Sequence, residues 1–214
     1  MGKTGSKPNS DWKDGFLFVG NHPALDFVNT RPVQDDQALE LLPDFNAVLR
    51  WFQAAGLLSR SATEDLQRRW EGSARAQRAT DSLRTLREKL RNEILSWEEG
   101  GTLQRATLEE LNRLMAQRPM RTRLKAAGLR AATELYFEAH EPEDLFAPLA
   151  HSATSLFANV DWKRVRKCAQ CVLHFHDTSK KGTRRWCSMQ LCGNRHKVAA
   201  YAARQRRKHR RTKA

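Results

Sequence analysis

Residues 165–195 read Val165-Arg-Lys-Cys168-Ala-Gln-Cys171-Val-Leu-His-Phe-His-Asp177-Thr-Ser-Lys-Lys-Gly182-Thr-Arg-Arg-Trp186-Cys187-Ser-Met-Gln-Leu-Cys192-Gly-Asn-Arg195. This stretch holds all four cysteines of a 214-residue chain. Two close pairs, separated by room for a hairpin, can wrap one tetrahedral Zn²⁺ through Cys168, Cys171, Cys187 and Cys192. Two disulfides or idle thiols are the competing readings. The leader Met-Gly-Lys-Thr-Gly-Ser-Lys-Pro has no apolar core of a secretory signal, which favours reduced thiols and therefore zinc. Four thiolates close the coordination shell, so the metal would be structural, one per chain, and would leave no open position for catalysis. One of His174 and His176, which alternate with apolar neighbours, could replace a cysteine as ligand.

The pattern around the ligands gives a local fold. Residues 165–176 read as strand, tight turn and strand, and 178–183 with Gly182 as a loop. Cys187 and Cys192 then fall at a helix start that Ser188 can cap, with the helix continuing over 193–207. Hairpin, second pair and helix make a treble-clef-like arrangement.

Charge is concentrated on the same segment. Residues 151–214 hold 17 Lys and Arg against Asp161 and Asp177 alone, whereas residues 1–150 are almost balanced. The whole excess of a +14 chain therefore lies on the cysteine-bearing part. A basic block fused to a metal scaffold favours a polyanion, nucleic acid above all. On the last helix Lys197, Arg204, Lys208 and Arg211 share one face, with Val198, Tyr201 and Ala202 expected to pack on the other. Arg184, Arg185, Asn194, Arg195, Arg206 and Arg207 complete the candidate DNA contacts, arginines suiting base edges and lysines phosphates. Residues 208–214 read as a basic tail that grips backbone without reading sequence.

Upstream, the expected fold is mainly α. Residues 1–13 read as a disordered leader and 14–160 as a helical domain. Phe16, Phe18 and Val19 suit a short strand, and Pro23 suits the first turn of a helix carrying Leu25, Phe27 and Val28. Helices follow from Asp44 to Gly56, over 61–72 from a Ser61-x-x-Glu64 capping box, over 80–98, and from Thr107 to Pro119. Residues 120–138 read as a short hairpin around Gly128, although their alanines argue for helix. Pro142 opens a last helix to about Val160. His22, Asp26 and Asn29 are polar residues close together in an apolar entry segment, read either as caps and backbone partners or as lining an effector pocket. No apolar run is long enough to span a membrane, which leads to an expected cytoplasmic, nucleoid-associated location.

Asp177-Thr-Ser, Arg185-Trp-Cys187-Ser-Met and Cys192-Gly-Asn-Arg195 resemble the CGNR zinc finger family. Ala24-Leu-Asp-Phe-Val-Asn-Thr30 resembles the ABATE domain that precedes this finger in bacterial stress-induced transcription regulators. The resemblance implies zinc on the four cysteines, a finger over 161–207 and DNA as partner. The two-domain layout suggests that the first domain senses a small-molecule effector or forms a homodimer. A basic zinc module that binds RNA through His174, Phe175 and Trp186 is one alternative. The other is an enzyme with its site in the first domain, disfavoured because no phosphate loop, nucleophile elbow or H-E-x-x-H is present, so the chain is expected not to be an enzyme.

Overall fold

The structure, a computed structural model, describes residues 11–34, 37–128 and 130–211, without the side chains of Gln34, Ala199, Ala200, Ala203 and residues 206–211. Its architecture is mainly α, as expected, with four two-stranded ribbons set around the helices.

Asp14-Gly15 makes the first turn. Both residues have positive φ, +49° and +81°, the backbone that a two-residue hairpin loop requires. Strand β1 (Trp12–Lys13) therefore folds back on β2 (Phe16–Leu17). This corrects the leader expected over 1–13, of which residues 1–10 lie outside the described residues. Beyond the turn, alternation governs packing, because successive side chains of an extended chain face opposite ways. Phe16 and Phe18 enter the large helical core, while Leu17 and Val19 enter a second core that contains Cys168, Cys187 and Cys192. One extended segment thus serves as the partition between two cores.

Helix α1 (Pro23–Val28) starts with proline in its first turn and His22 as its cap, whose Nδ1 accepts from Ala24 N–H at 3.3 Å. A small ribbon, β3 (Val33–Gln34) with β4 (Gln37–Ala38), leads to α2 (Phe45–Ala54), capped by Asp44 and ended at Gly56 with φ +73°. Helix α3 (Arg60–Trp70) is capped by Ser59, whose Oγ accepts from Ala62 N–H, rather than by Ser61. Helix α4 (Ala74–Glu98) begins at a Ser73 cap, six residues ahead of the expected 80, because its first turns bury Ala76 and Ala79 where only larger apolar residues signal periodicity. Its Leu83, Leu86, Leu90 and Ile94 form the spine of the core. On the same helix the buried Arg87 donates to both oxygens of Glu40 and to Thr30 Oγ1 at 3.0 Å.

Helix α5 (Arg105–Gln117) starts two residues before Thr107, which instead donates its hydroxyl to Glu93. The ambiguous stretch is a hairpin, β5 (Arg121–Ala127) and β6 (Arg130–Tyr136), turning at Gly128 with φ +61°. Arg123 and Lys125 both bond Glu134 on its charged face. A 3₁₀ turn at Pro142–Leu145 runs into α6 (Phe146–Asn159), which packs on α1 and α5.

The C-terminal module opens with a 3₁₀ turn at Trp162–Arg164 and the ribbon of β7 (Val165–Lys167) with β8 (His174–His176). A π-turn at Met189–Gly193 leads into α7 (Asn194–Arg211). Val198 and Tyr201 do not pack on the module: they are 68% and 59% exposed. These two side chains, beyond the first turn of α7, face solvent.

Candidate metal centre and basic surface

The first cysteine pair sits on the turn between β7 and β8. Cys168 N–H donates to Leu173 O at 2.9 Å, which closes the turn and swings both sulfurs to one side. Backbone N–H groups of Gln170 and Cys187 point at the Cys168 sulfur, and that of Leu173 at Cys171. The second pair is brought in by main chain, Ala169 N–H donating to Arg185 O at 2.9 Å. Ser188 caps the π-turn, its Oγ accepting from Gln190 and Leu191 N–H, while its hydroxyl donates to the Asp11 carboxylate.

The four sulfurs lie within 4.8 Å of one another. Cys171 and Cys187 are 3.7 Å apart, Cys187 and Cys192 3.6 Å, and no disulfide forms. A tetrahedron of sulfurs about 2.3 Å from zinc has edges of about 3.8 Å, so the donor set fits the ion. Four sulfurs this close cannot carry four charges by themselves. The neighbouring Cys171 and Cys187 sulfurs hold the Cys168 pKa far down. The nearby Cys168 sulfur in turn pushes Cys171 up to about 12 and pushes Cys187 up as well. A divalent cation allows all four to ionise together.

Buried polar groups order the surrounding loop. Asp177 is buried, and its carboxylate accepts from Ser179 N–H at 2.9 Å and Arg184 N–H at 2.7 Å. Arg184, expected at DNA, turns inward: its Nε donates to Trp186 O at 2.7 Å, its Nη2 donates to Cys187 O, and its guanidinium lies 4.9 Å over Phe175. Arg185 lies over the Trp186 ring at 5.2 Å, and Trp186 packs on His196 of α7 at 4.7 Å between centroids. Asn194, Arg195, Lys197 and Arg204 are exposed along α7. The backbone of Arg206, Arg207 and Lys208 continues that helix, and their side chains lie outside the described residues.

The first-domain trio serves the junction between domain and finger. Asn29 is 1% exposed, and its amide makes two bonds to one residue: Oδ1 accepts from His174 N–H at 2.9 Å and Nδ2 donates to His174 O at 2.8 Å. His176 N–H donates to Gly20 O, and Asn21 Nδ2 donates to His176 O. The outer edge of β8 is thereby satisfied by residues 20–29, as a third strand would satisfy it. Asp26 Oδ1 accepts from Gly20 N–H at 2.7 Å, and burial pushes its carboxyl up to about 7 against that bond. Burial, helped by the nearby His176, lowers His22 to about 4. His22 Nδ1, Asp26 Oδ1 and both polar atoms of the Asn29 amide thus go to backbone groups.

Residues at both margins of the finger join it without belonging to the cysteine motif. Leu17, Val19 and Asp11 belong to its core and cap, and the alternation in Phe16-Leu-Phe-Val19 was the available signal. Lys163, Arg166 and Lys167 line an open groove beside β7, and Trp162-Lys-Arg-Val-Arg-Lys167 carried that charge in plain view.

A helical domain bearing a thiolate-clamped hairpin and helix defines a zinc-finger protein. Residues 164–205 match the CGNR zinc finger family. Residues 21–160 match ABATE, described as "Putative stress-induced transcription regulator", and since that match spans more than half of the chain, the protein belongs to the ABATE family. A search of curated proteins found no match to it.

Proposed function

We propose that the protein is a DNA-binding transcription regulator of the cytoplasm whose zinc-clamped finger presents α7 to the duplex, and that it is not an enzyme. The observation that carries this is the contrast in ion pairing. In the helical domain, basic side chains from Arg31 to Lys125 are extensively paired with carboxylates. In the finger, Lys163, Lys167, Arg184, Arg185, Arg195, Lys197 and Arg204 make no ion pair with any carboxylate among the described residues. Unpaired cations in a rigid setting favour an external polyanion, and phosphates supply the matching charge. The family description supports regulation of transcription. The helical domain's share of the proposal is effector sensing or dimerisation.

The test is DNA affinity across a salt series. A log–log slope of several negative units is expected for a protein engaging several phosphates. A slope near zero overturns the reading. Sedimentation with and without DNA reports the oligomeric state.

A further inference from the structure

Resting on the reading above, we infer that the junction between helical domain and finger is a second contact for the DNA backbone, a phosphate-binding groove separate from α7. The groove encloses about 470 Å³ along β7. Its cations are Lys163, Arg166, Lys167, Arg184 and Arg185, and its one acid is Glu98. That acid is largely withdrawn from the groove's open side: its side chain is 15% exposed, and its Oε2 lies 3.5 Å from His174 Nε2. Lys163, Lys167 and Arg185 are exposed at the groove, and Arg166 and Arg184, part-buried behind them, add to its positive charge.

Two of the cations are fixed and three are free to reach. Arg166 Nη2 donates to Gly182 O at 2.8 Å, and Arg184 is held by the carbonyls of Trp186 and Cys187. Their charges are pre-positioned by the zinc module itself, so binding costs them little order. Lys163, Lys167 and Arg185 make no ion pair among the described residues, and the Lys163 ammonium lies 5.7 Å over the half-exposed Trp162 ring. Trp162 supplies an apolar wall on which a deoxyribose can rest while the ammonium meets the phosphate beside it.

Continuity decides the occupant. Arg185 lines the groove and covers Trp186, which in turn packs on His196 in the first turn of α7. The basic surface thus runs unbroken from the groove to α7, whose 18 residues span about 27 Å. A single phosphorylated small molecule would leave most of that surface uncovered, whereas a duplex with its backbone in the groove covers both parts. Phosphate contacts of this kind set register without reading bases.

The experiment uses the full-length zinc-loaded protein and a labelled random-sequence DNA duplex, with fluorescence anisotropy read across a NaCl series. The variant Lys163→Gln with Lys167→Gln removes two exposed charges. Loss of two phosphate contacts lowers the steepness of the log–log slope by about 1.8 and weakens binding by roughly sixtyfold at 0.1 M salt. Lys163→Arg with Lys167→Arg restores the parental slope. Arg78→Gln, a charge removed from the helical domain, leaves the slope as it was. A parent that binds with a steep slope that the double variant leaves unchanged overturns the groove while sparing the DNA-binding reading. A parent with a flat slope overturns both. A loss seen with an RNA duplex but not with DNA also overturns the inference.

Discussion

Substituting Asn29→Ala should loosen the finger from its domain. The side chain makes two buried bonds to the backbone of His174, 145 residues away, and the alanine methyl can replace neither. Each buried backbone group left without a partner costs about 1–3 kcal/mol. The pair therefore gives about 2–6 kcal/mol, reduced where water reaches the gap that the lost amide leaves. Because zinc affinity and finger folding are one equilibrium, the same loss appears as faster metal release to a chelator. The assay is urea unfolding, followed by tryptophan fluorescence, alongside zinc transfer to a colorimetric chelator. Asn29→Asp keeps the acceptor for His174 N–H but sets a carboxylate against His174 O, so it should do no better. If Asn29→Ala unfolds at the parental urea concentration and holds zinc as firmly, the staple between domain and finger is not what these bonds are.

The pH dependence divides between two groups. Asp26, raised from 3.8 to about 7 by burial, gives stability that is full below pH 3.8 and lost as pH rises through 7. His22, lowered from 6.5 to about 4 by burial, gives stability that is full above pH 6.5 and lost as pH falls through 4. At about 1.4 kcal/mol per unit the buried Asp26 contributes about 4 kcal/mol, the part-exposed His22 less than about 3 because solvent screens it, and the two oppose each other between pH 4 and 6.5. Asp26→Asn should thus unmask a stability that climbs with pH in that window, and His22→Asn, which keeps a capping side chain, one that falls; parallel urea midpoints for parent and variants at pH 4.5 and 6.5 would contradict this. Cys187→Ser should abolish zinc binding and unfold the finger, since a structural site contributes ~10–16 kcal/mol apparent at neutral pH; one zinc per chain retained by elemental analysis would refute the ligand set. Gly20→Ala sets a methyl 2.8 Å from Leu25 Cβ and 2.9 Å from Asp26 N. Backbone must move, so stability should drop by about 3 kcal/mol, and an unchanged melting temperature would show that the loop gives freely.

Much of the fold was legible because its signals are local. The cysteine spacing specified the metal and its turn, and Gly128 between two runs of strand length specified the β5–β6 hairpin even where alanines argued otherwise. Local signals also misled. Ser61-x-x-Glu64 has the form of a capping box, yet Ser59 takes the cap, because either serine suits the entry of the chain and packing of Thr63 and Leu66 chooses between them. Val198 and Tyr201 have the spacing of a buried stripe, but a stripe is buried only where another element meets it, and among the described residues none covers these two. Asn29 shows the deeper limit. Nothing near it in sequence says that a strand edge 145 residues away needs one donor and one acceptor at that separation. Its role became readable only when β8 was in place.

The partition formed by residues 16–19 also bears on how the chain is made. Translation at about 5–20 residues per second delivers residue 192 roughly ten to thirty seconds after residue 19. During that interval Phe16 and Phe18 can enter the helical core, while Leu17, Val19 and the Asn29 amide still await their cover. In a growing chain Leu17, Val19 and the Asn29 amide therefore lack the cover and partners that the finger supplies. Zinc capture should end that exposure, so a product truncated before Cys192 should be degraded faster than the full-length zinc-loaded chain, and equal half-lives in a pulse-chase would refute this.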